Sequence, residues 1–454
     1  MRHNLDGLRA RIDLSGAAPS RRAVVAAGAW AVPAIALVVT SPALAVSGAT
    51  LSFSSGSFAG VPCDDITDAV VSAATGGVPQ AGVSVVLQLS DGYTFDADAV
   101  TATVVTDADG TAPCGTIHVP GSGATGTLAA SASGATSASA TLTAFSGRLL
   151  TTPGELSAVS LVPAGAVPLA HDLFLHGATL YRAGVGVVQT GVAATGALAE
   201  APSKNGSFLL PLRLDGGSAA VYDTQAGTVV PVIGIPLGAT PVAADLFLVG
   251  STMFRAGVAI ATDVAAFGQL LEHEQGAGGT GQFELPYRAL DGTPRLLRVP
   301  ADQTRTAFEF DGPSGPPRGA TPVAGDLFIA DGVLYRVSWN GDCPYGAGAL
   351  ATGIASWGAL TPNPSYVGER LLPVTTSTGA AALFMVSGNT VREATAVPAG
   401  ATPIGADLFL AGQSVYRDAV GVVATGVAAA GQPAPATAGS SQIVVPLASV
   451  APSC

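Results

Sequence analysis

The sequence predicts an all-β chain, a β-sandwich module followed by four tandem β-repeats that close into a propeller-like ring. Three observations carry this prediction. With 58 glycines and 32 prolines in 454 residues and only 11% charged side chains, the chain suits many short strands joined by turns. Apolar residues alternate with period two in several segments, and no segment keeps a helical period. One motif recurs four times at nearly constant spacing. These divide the chain into an address segment at 1–45, a first module at 46–147 and a repeat domain at 148–454.

Apolar residues make up 48% of the chain, which with so little charge excludes global disorder. Formal net charge is −12; setting aside the five arginines and two aspartates of residues 1–45 leaves 14 basic and 29 acidic residues, or −15. Lys204 is the single lysine. A nucleic acid or an anionic membrane surface needs a basic footprint, so neither is expected as a partner.

Ser20-Arg21-Arg22 stands directly before an apolar stretch that runs to about Val39, and Ala43-Leu44-Ala45 follows as a small-x-small cleavage pattern. The segment resembles a twin-arginine export signal, which implies a secreted or surface-held mature chain with no integral membrane segment after its removal. Later apolar stretches do not qualify as spans: Val229–Gly250 contains Pro231, Pro236, Pro241 and Asp245.

Four cysteines in an exported chain fit two disulfides, with three pairings possible. Cys63 with Cys114 is the expected pair, both lying in the first module, which leaves Cys343 for Cys454. Metal ligation needs closer Cys and His spacing than the chain offers, so no metal and no cofactor is expected.

In the first module Val83, Val85, Leu87 and Leu89 alternate with Ser84, Val86 and Gln88. Thr101–Thr106 is a β-branched run, Thr106-Asp107-Ala108-Asp109-Gly110-Thr111 reads as a tight turn, and Ala138–Phe145 alternates again. Together with Gly77-Val78-Pro79-Gln80-Ala81-Gly82-Val83-Ser84-Val85, the turn resembles bacterial Ig-like domains of the invasin/intimin type. That resemblance implies a β-sandwich serving as a spacer or display module without chemistry of its own.

The repeated motif reads Gly165-Ala-Val-Pro-Leu-Ala-His-Asp172-Leu-Phe-Leu, Gly238-Ala-Thr-Pro-Val-Ala-Ala-Asp245-Leu-Phe-Leu, Gly319-Ala-Thr-Pro-Val-Ala-Gly-Asp326-Leu-Phe-Ile and Gly400-Ala-Thr-Pro-Ile-Gly-Ala-Asp407-Leu-Phe-Leu. The aspartates lie 73, 81 and 81 positions apart, and each motif is followed by an aromatic-Arg pair that ends in Arg182, Arg255, Arg336 or Arg417. A second element centres on Pro211, Pro286, Pro373 and Pro446; proline cannot donate to a ladder, so an edge strand or a bulge is expected there. The first unit starts after its proline strand and the chain reaches a fourth one at Pro446. Such an offset lets a C-terminal strand complete the unit begun at the N-terminus and closes the ring. Half-repeats about 25 residues apart leave the count open between four large and eight small blades.

Asp172, Asp245, Asp326 and Asp407 stand where a turn-capping carboxylate belongs, and Arg182, Arg255, Arg336 and Arg417 suit pairing with them; a role repeated in every unit is architectural. No His-Glu-x-x-His, Gly-x-Ser-x-Gly, phosphate loop or dinucleotide fingerprint occurs. His171 and His176 flank one strand and are expected to face solvent. The third unit departs from the pattern at Trp339-Asn340-Gly341-Asp342-Cys343-Pro344-Tyr345, with Trp357 close behind. Aromatic and polar residues on an irregular loop point to binding, and Trp339, Asn340, Asp342, Tyr345 and Trp357 are the candidate contacts.

The sequence therefore argues for a non-enzymatic surface or secreted binding protein, its expected partner an envelope polysaccharide or another surface protein. Two other classes stand beside it. A glycan-active hydrolase or lyase requires carboxylates to meet at one mouth of the ring; a structural coat protein requires self-assembly.

Overall fold

The computed structural model describes residues 48–121, 125–152, 154–201, 207–272, 282–300, 315–340, 343–364, 369–437 and 440–450, with side chains at 282, 300, 338–340 and 343–347 left undescribed. The export signal and Asp342 lie outside these residues. Residues 45–454 form one compact unit, and among the described residues no helix is long and apolar enough to cross a membrane.

Alternation builds the first part of this unit. Val85 and Leu87 are fully buried, and Val83 and Leu89 nearly so, while Gln88 is exposed, as period two requires. Strand Ser84–Leu89 lies between Thr125–Ser131 and Thr101–Val105, and Thr125–Ser131 pairs in turn with Ala138–Thr151. A second sheet is built on Ala49–Phe53 and Val70–Thr75. Leu51, Val71 and Ala73 of this sheet and Leu87, Leu128 and Leu142 of the first share one core, so the module is a two-sheet sandwich. At the predicted turn, Asp107 Oδ1 accepts from the N–H groups of Asp109 and Thr111 at 2.9 and 3.0 Å, and Gly110 takes φ 71°. The Thr111 amide, chiefly, holds the Asp107 carboxyl below its ordinary range.

The expected Cys63–Cys114 bridge is not present. Cys114 is a free thiol, 1% exposed, and burial pushes its pKa up to about 11. Backbone register explains the separation. Cys114 donates its N–H to Ala69, whereas Cys63 donates to Val119, five residues further along the same segment. Five residues of extended chain span up to ~17 Å, well beyond the ~7 Å a disulfide allows between α-carbons. Cys63 is instead disulfide-bonded to a partner outside the described residues.

The repeats fold into eight small sheets, two per repeat. Blade 1 spans residues 167–189, blade 2 192–231, blade 3 240–261, blade 4 264–300, blade 5 321–351, blade 6 354–393 and blade 7 402–425. Blade 8 joins the two ends of the domain. Its inner strands come from residues 427–449 and its outer strands are Ala138–Thr151 and Glu155–Pro163, with Leu150 opposite Val445 and Thr151 opposite Val444. The offset of the repeats thus closes the ring, as an eight-bladed propeller. The boundary expected at 147/148 falls inside strand Ala138–Thr151, which pairs in the sandwich with its first half and in blade 8 with its second.

Candidate functional site

In each even blade the inner strand breaks in two at a glycine: Gly196, Gly268, Gly358 and Gly431. The break answers the proline in the neighbouring strand. Each glycine donates its N–H to the proline carbonyl, Gly196 to Pro211, Gly268 to Pro286, Gly358 to Pro373 and Gly431 to Pro446, at 2.8–2.9 Å. These prolines therefore sit in the second strand of a blade, not at an edge, and the irregularity is carried by the inner strand. The following residue donates to the next blade: Ala197 to Val242, Gln269 to Val323, Ala359 to Ile404 and Gln432 to Leu169, at 2.6–2.8 Å. A side chain has no room at these glycines, since a Cβ would stand 2.5–2.7 Å from the carbonyl region of the next blade.

The four Asp-Arg pairs are equally regular. Nε of Arg182, Arg255, Arg336 and Arg417 lies 2.7–2.9 Å from Oδ2 of Asp172, Asp245, Asp326 and Asp407. Arg182 and Arg336 continue into the next blade: Arg182 Nη1 reaches the Thr224 carbonyl at 2.8 Å, and Arg336 Nη1 the Val386 carbonyl at 3.0 Å. The residue before each aspartate, His171, Ala244, Gly325 or Ala406, takes φ of 50–55°, so a left-handed turn aims the carboxylate at its arginine. The pairs differ in electrostatics. Burial works against ionisation of Asp172, but His171 and Arg182 outweigh it and hold the carboxyl below its usual range. At Asp326 burial outweighs Arg336, with Glu284 reinforcing it, and the carboxyl is raised.

His171 does not face solvent as expected. Its side chain is 16% exposed, Nε2 lies 3.2 Å from the Ala436 carbonyl, and the ring stacks on Phe208 with centroids 6.1 Å apart. His176 is exposed.

Beyond each inner-strand glycine the chain turns toward the ring axis, and here the four repeats differ. The segments read Gly196-Ala197-Leu198-Ala199-Glu200, Gly268-Gln269-Leu270-Leu271-Glu272, Gly358-Ala359-Leu360-Thr361-Pro362 and Gly431-Gln432-Pro433-Ala434-Pro435. Leu198, Leu270, Leu360 and Pro433 are buried and form a floor. Glu200, Glu272, Pro362 and Pro435 stand at the rim, joined by Phe208, Phe283 and Arg370 from the second strands, around a cavity of about 130 Å³. Two glutamines brace it. Gln269 grips both backbone groups of Leu360, at 3.1 and 3.0 Å, and Gln432 reaches the Leu198 carbonyl at 3.5 Å; repeats 1 and 3 carry Ala197 and Ala359 there.

Strand direction fixes which face carries this mouth. Pro435 pairs with Ile443 and Thr151 with Val444, so the mouth lies where the shared strand Ala138–Thr151 ends. At the opposite end of blade 8, Ala164 belongs to the sandwich core and donates its N–H to Ala144 at 2.7 Å. The sandwich therefore abuts the face away from the mouth.

The predicted binding loop is the tip of a hairpin, Val333–Asn340 paired with Cys343–Ala351, and emerges on the mouth face. Strand Val333–Asn340 has eight residues where blades 1, 3 and 7 have four. Trp339, Asn340 and Tyr345 lie on this hairpin, their side chains outside the description. Trp357 stands apart on the inner strand of blade 6, opposite Val374 and packed against the blade 5–6 core. A second depression, of about 510 Å³, lies in the sandwich beside Asp64, Asp65, Asp98 and His118. His118 there bridges Asp65 and Asp96 at 2.6 and 3.2 Å. Among the described residues no group of three or more side chains could hold a metal ion.

No family model matches the sequence, and no curated protein matches it. Among solved structures, the chain is similar to an auxiliary nutrient binding protein from Bacteroides thetaiotaomicron, at 10% identity and a TM-score of 0.31, over 88% of this chain and 98% of that one. A second is PorZ, a bacterial surface component of the type-IX secretion system of Porphyromonas gingivalis, at 14% identity and a TM-score of 0.30. That likeness covers 61% of this chain and 36% of PorZ. A third is a protein of unknown function from Bacteroides thetaiotaomicron, at 10% identity and a TM-score of 0.28, over 88% of this chain and 98% of that one. At these scores the likenesses carry no functional argument.

Proposed function

We propose that the chain is an exported, non-enzymatic binding protein held at the cell surface or released, its sandwich a stalk and the far face of its ring the binding face. The observation that carries this reading is the opposition of the two: the axial cavity and the lengthened hairpin of blade 5 share the face away from the sandwich. A ligand approaching that face meets residues that vary between repeats over a frame that does not vary. The twin-arginine-like leader and the Ig-like resemblance of residues 46–147 fit the same role. The partner class is an envelope polysaccharide or a surface protein.

A second reading has one observation in its favour. Glu200 and Glu272 occupy equivalent positions at the mouth, and a glycan hydrolase or lyase works with a pair of carboxylates. Co-sedimentation of the mature chain, from Val46 onward, with isolated envelopes and insoluble polysaccharides separates the two. Binding that survives moderate salt without release of reducing sugar supports the binding protein. Sugar release lost in Glu272→Gln supports the enzyme, and self-association with no other partner supports a coat protein.

A further inference from the structure

We propose that Cys63 is bridged to Cys454, and that this disulfide ties the C-terminal strand of blade 8 to the sandwich and makes closure of the ring covalent and redox-sensitive. The inference holds whatever the mouth binds. Cys63 is disulfide-bonded and Cys114 is a free thiol, so the partner is Cys343 or Cys454. Strand edges decide between them. Along its first half, strand Ala138–Thr151 carries Thr125–Ser131 on one edge and Ser57–Gly60 on the other. Along its second half it carries Glu155–Pro163 and Ile443–Ser449. The Thr141 N–H donates to Gly56, on the Ser57–Gly60 edge, whereas the Ala144 carbonyl accepts from Ala164, directly after Glu155–Pro163. Backbone groups point to alternate edges along a strand, so those of residues 141 and 144 face opposite ways. Glu155–Pro163 therefore continues the Thr125–Ser131 edge, and Ser57–Gly60 and Ile443–Ser449 share the other.

On that shared edge the two segments run toward each other. Ser57–Gly60 is parallel to Ala138–Thr151 and ends opposite Ala144; Ile443–Ser449 is antiparallel and has Ala448 opposite Gly147. Three residues of strand, about 10 Å, separate the two points. Cys63 lies three residues beyond Gly60, and Cys454 four beyond Val450, whose N–H donates to Gly426. Four residues reach up to ~14 Å, enough to bring Cys454 to Cys63. Cys343 begins the second arm of the hairpin on the mouth face, so the ring stands between it and the sandwich. The bond forms by two exchanges with the disulfide of an oxidising protein in the exported compartment. One cysteine thiolate attacks that disulfide and releases its first thiolate; the other then displaces the second as the Cys63–Cys454 bond forms. Two electrons and two protons end on the oxidant as its dithiol. The link matters because Ile443–Ser449 is the last strand of the ring and can leave blade 8 without unfolding any other blade. A pull between the mouth and the stalk passes through Ala138–Thr151, the strand it would leave.

Non-reducing peptide mapping of the mature chain, joined to hydrogen exchange of the oxidised, dithiothreitol-reduced and Cys454→Ser proteins, tests the inference. The map is expected to show one crosslinked peptide, Cys63 with Cys454, and alkylation after unfolding to label Cys114 and Cys343. Reduction, and equally Cys454→Ser, is expected to speed exchange in Ile443–Ser449 at least ~10-fold, as a local opening does. Phe208–Leu214, the equivalent strand of blade 2, is expected to keep its rate. The melting temperature should fall by roughly 5–10 °C, since the crosslink closes a very long loop. Reduction leaves every residue in place, so a folding defect of the variant cannot stand in for the effect. Cys63 joined to Cys343, exchange in Ile443–Ser449 unmoved by reduction, or both strands speeded alike overturns the inference.

Discussion

The blade interfaces and the axial mouth are built from the same four repeats and treat them in opposite ways. At the interfaces the copies are alike to the atom: each glycine donates to a proline carbonyl, each Nε meets an Oδ2, and each next residue donates across to the following blade. Four residues further along the same segments, Glu, Glu, Pro and Pro share one structural position, and one of four neighbouring positions carries a hydroxyl. Ring closure demands equal wedges, so whatever sets the wedge must repeat. The rim carries no such demand and is free to differ, and difference on a repeated frame is where a site can be built.

The largest test of this contrast strikes the frame. Gly268→Ala places a Cβ 2.5 Å from the Val323 carbonyl oxygen, and is expected to cost roughly 3 kcal/mol in urea unfolding. A rim substitution such as Glu272→Gln is expected to stay within about 0.5 kcal/mol, as surface changes do. Equal costs at the two sites would erase the distinction between frame and rim.

A subtler test uses two copies of one ion pair. Asp172 has a lowered pKa, so its contribution is present above its unfolded value and is lost as pH falls through the lower folded one. Asp326 is raised, so the folded state is favoured below its unfolded value, and that advantage fades as pH rises through the folded one. The stability difference between the wild type and Asp172→Asn should therefore shrink on acidification, while that for Asp326→Asn should grow in favour of the wild type. Urea midpoints from neutral pH down to below 3.8, the ordinary carboxyl value, measure both, and parallel trends would show that the two pockets are electrostatically alike.

The smallest expected effect concerns the thiols. Cys114, buried and raised to about 11, should react with a thiol reagent only on unfolding. Peptide mapping should find Cys63 joined to Cys454. A Cys63–Cys114 crosslink would contradict the register of the sandwich.

Much of the fold was legible because repetition and period two are written in single residues. The alternation through Val83–Leu89, the turn at Asp107–Gly110, the Asp-Arg spacing and the offset that closes the ring all follow from local rules. The cysteine pairing did not, since it depends on a register that places Cys63 beside Val119. His171 was misjudged for a similar reason: its burial comes from Phe208 and Ala436, distant in the chain. The mouth was missed because recurrence drew the reading to identical positions, while its signal is a difference. Aligning the four segments after Gly196, Gly268, Gly358 and Gly431 exposes Glu200, Glu272 and Thr361 with no structure needed. What alignment cannot supply is that four strand ends, up to 235 residues apart in the case of Glu200 and Pro435, converge on one axis.

The most direct measurement pairs stability with binding in two variants, Gly268→Ala from the frame and Glu272→Gln from the rim, each assayed by thermal melting and by envelope co-sedimentation. The account predicts that Gly268→Ala melts well below the wild type while its folded fraction still binds. It predicts that Glu272→Gln melts with the wild type and sediments poorly with envelopes. Full envelope binding by Glu272→Gln together with an unchanged melt would contradict it, and the mouth would then be one more part of the frame.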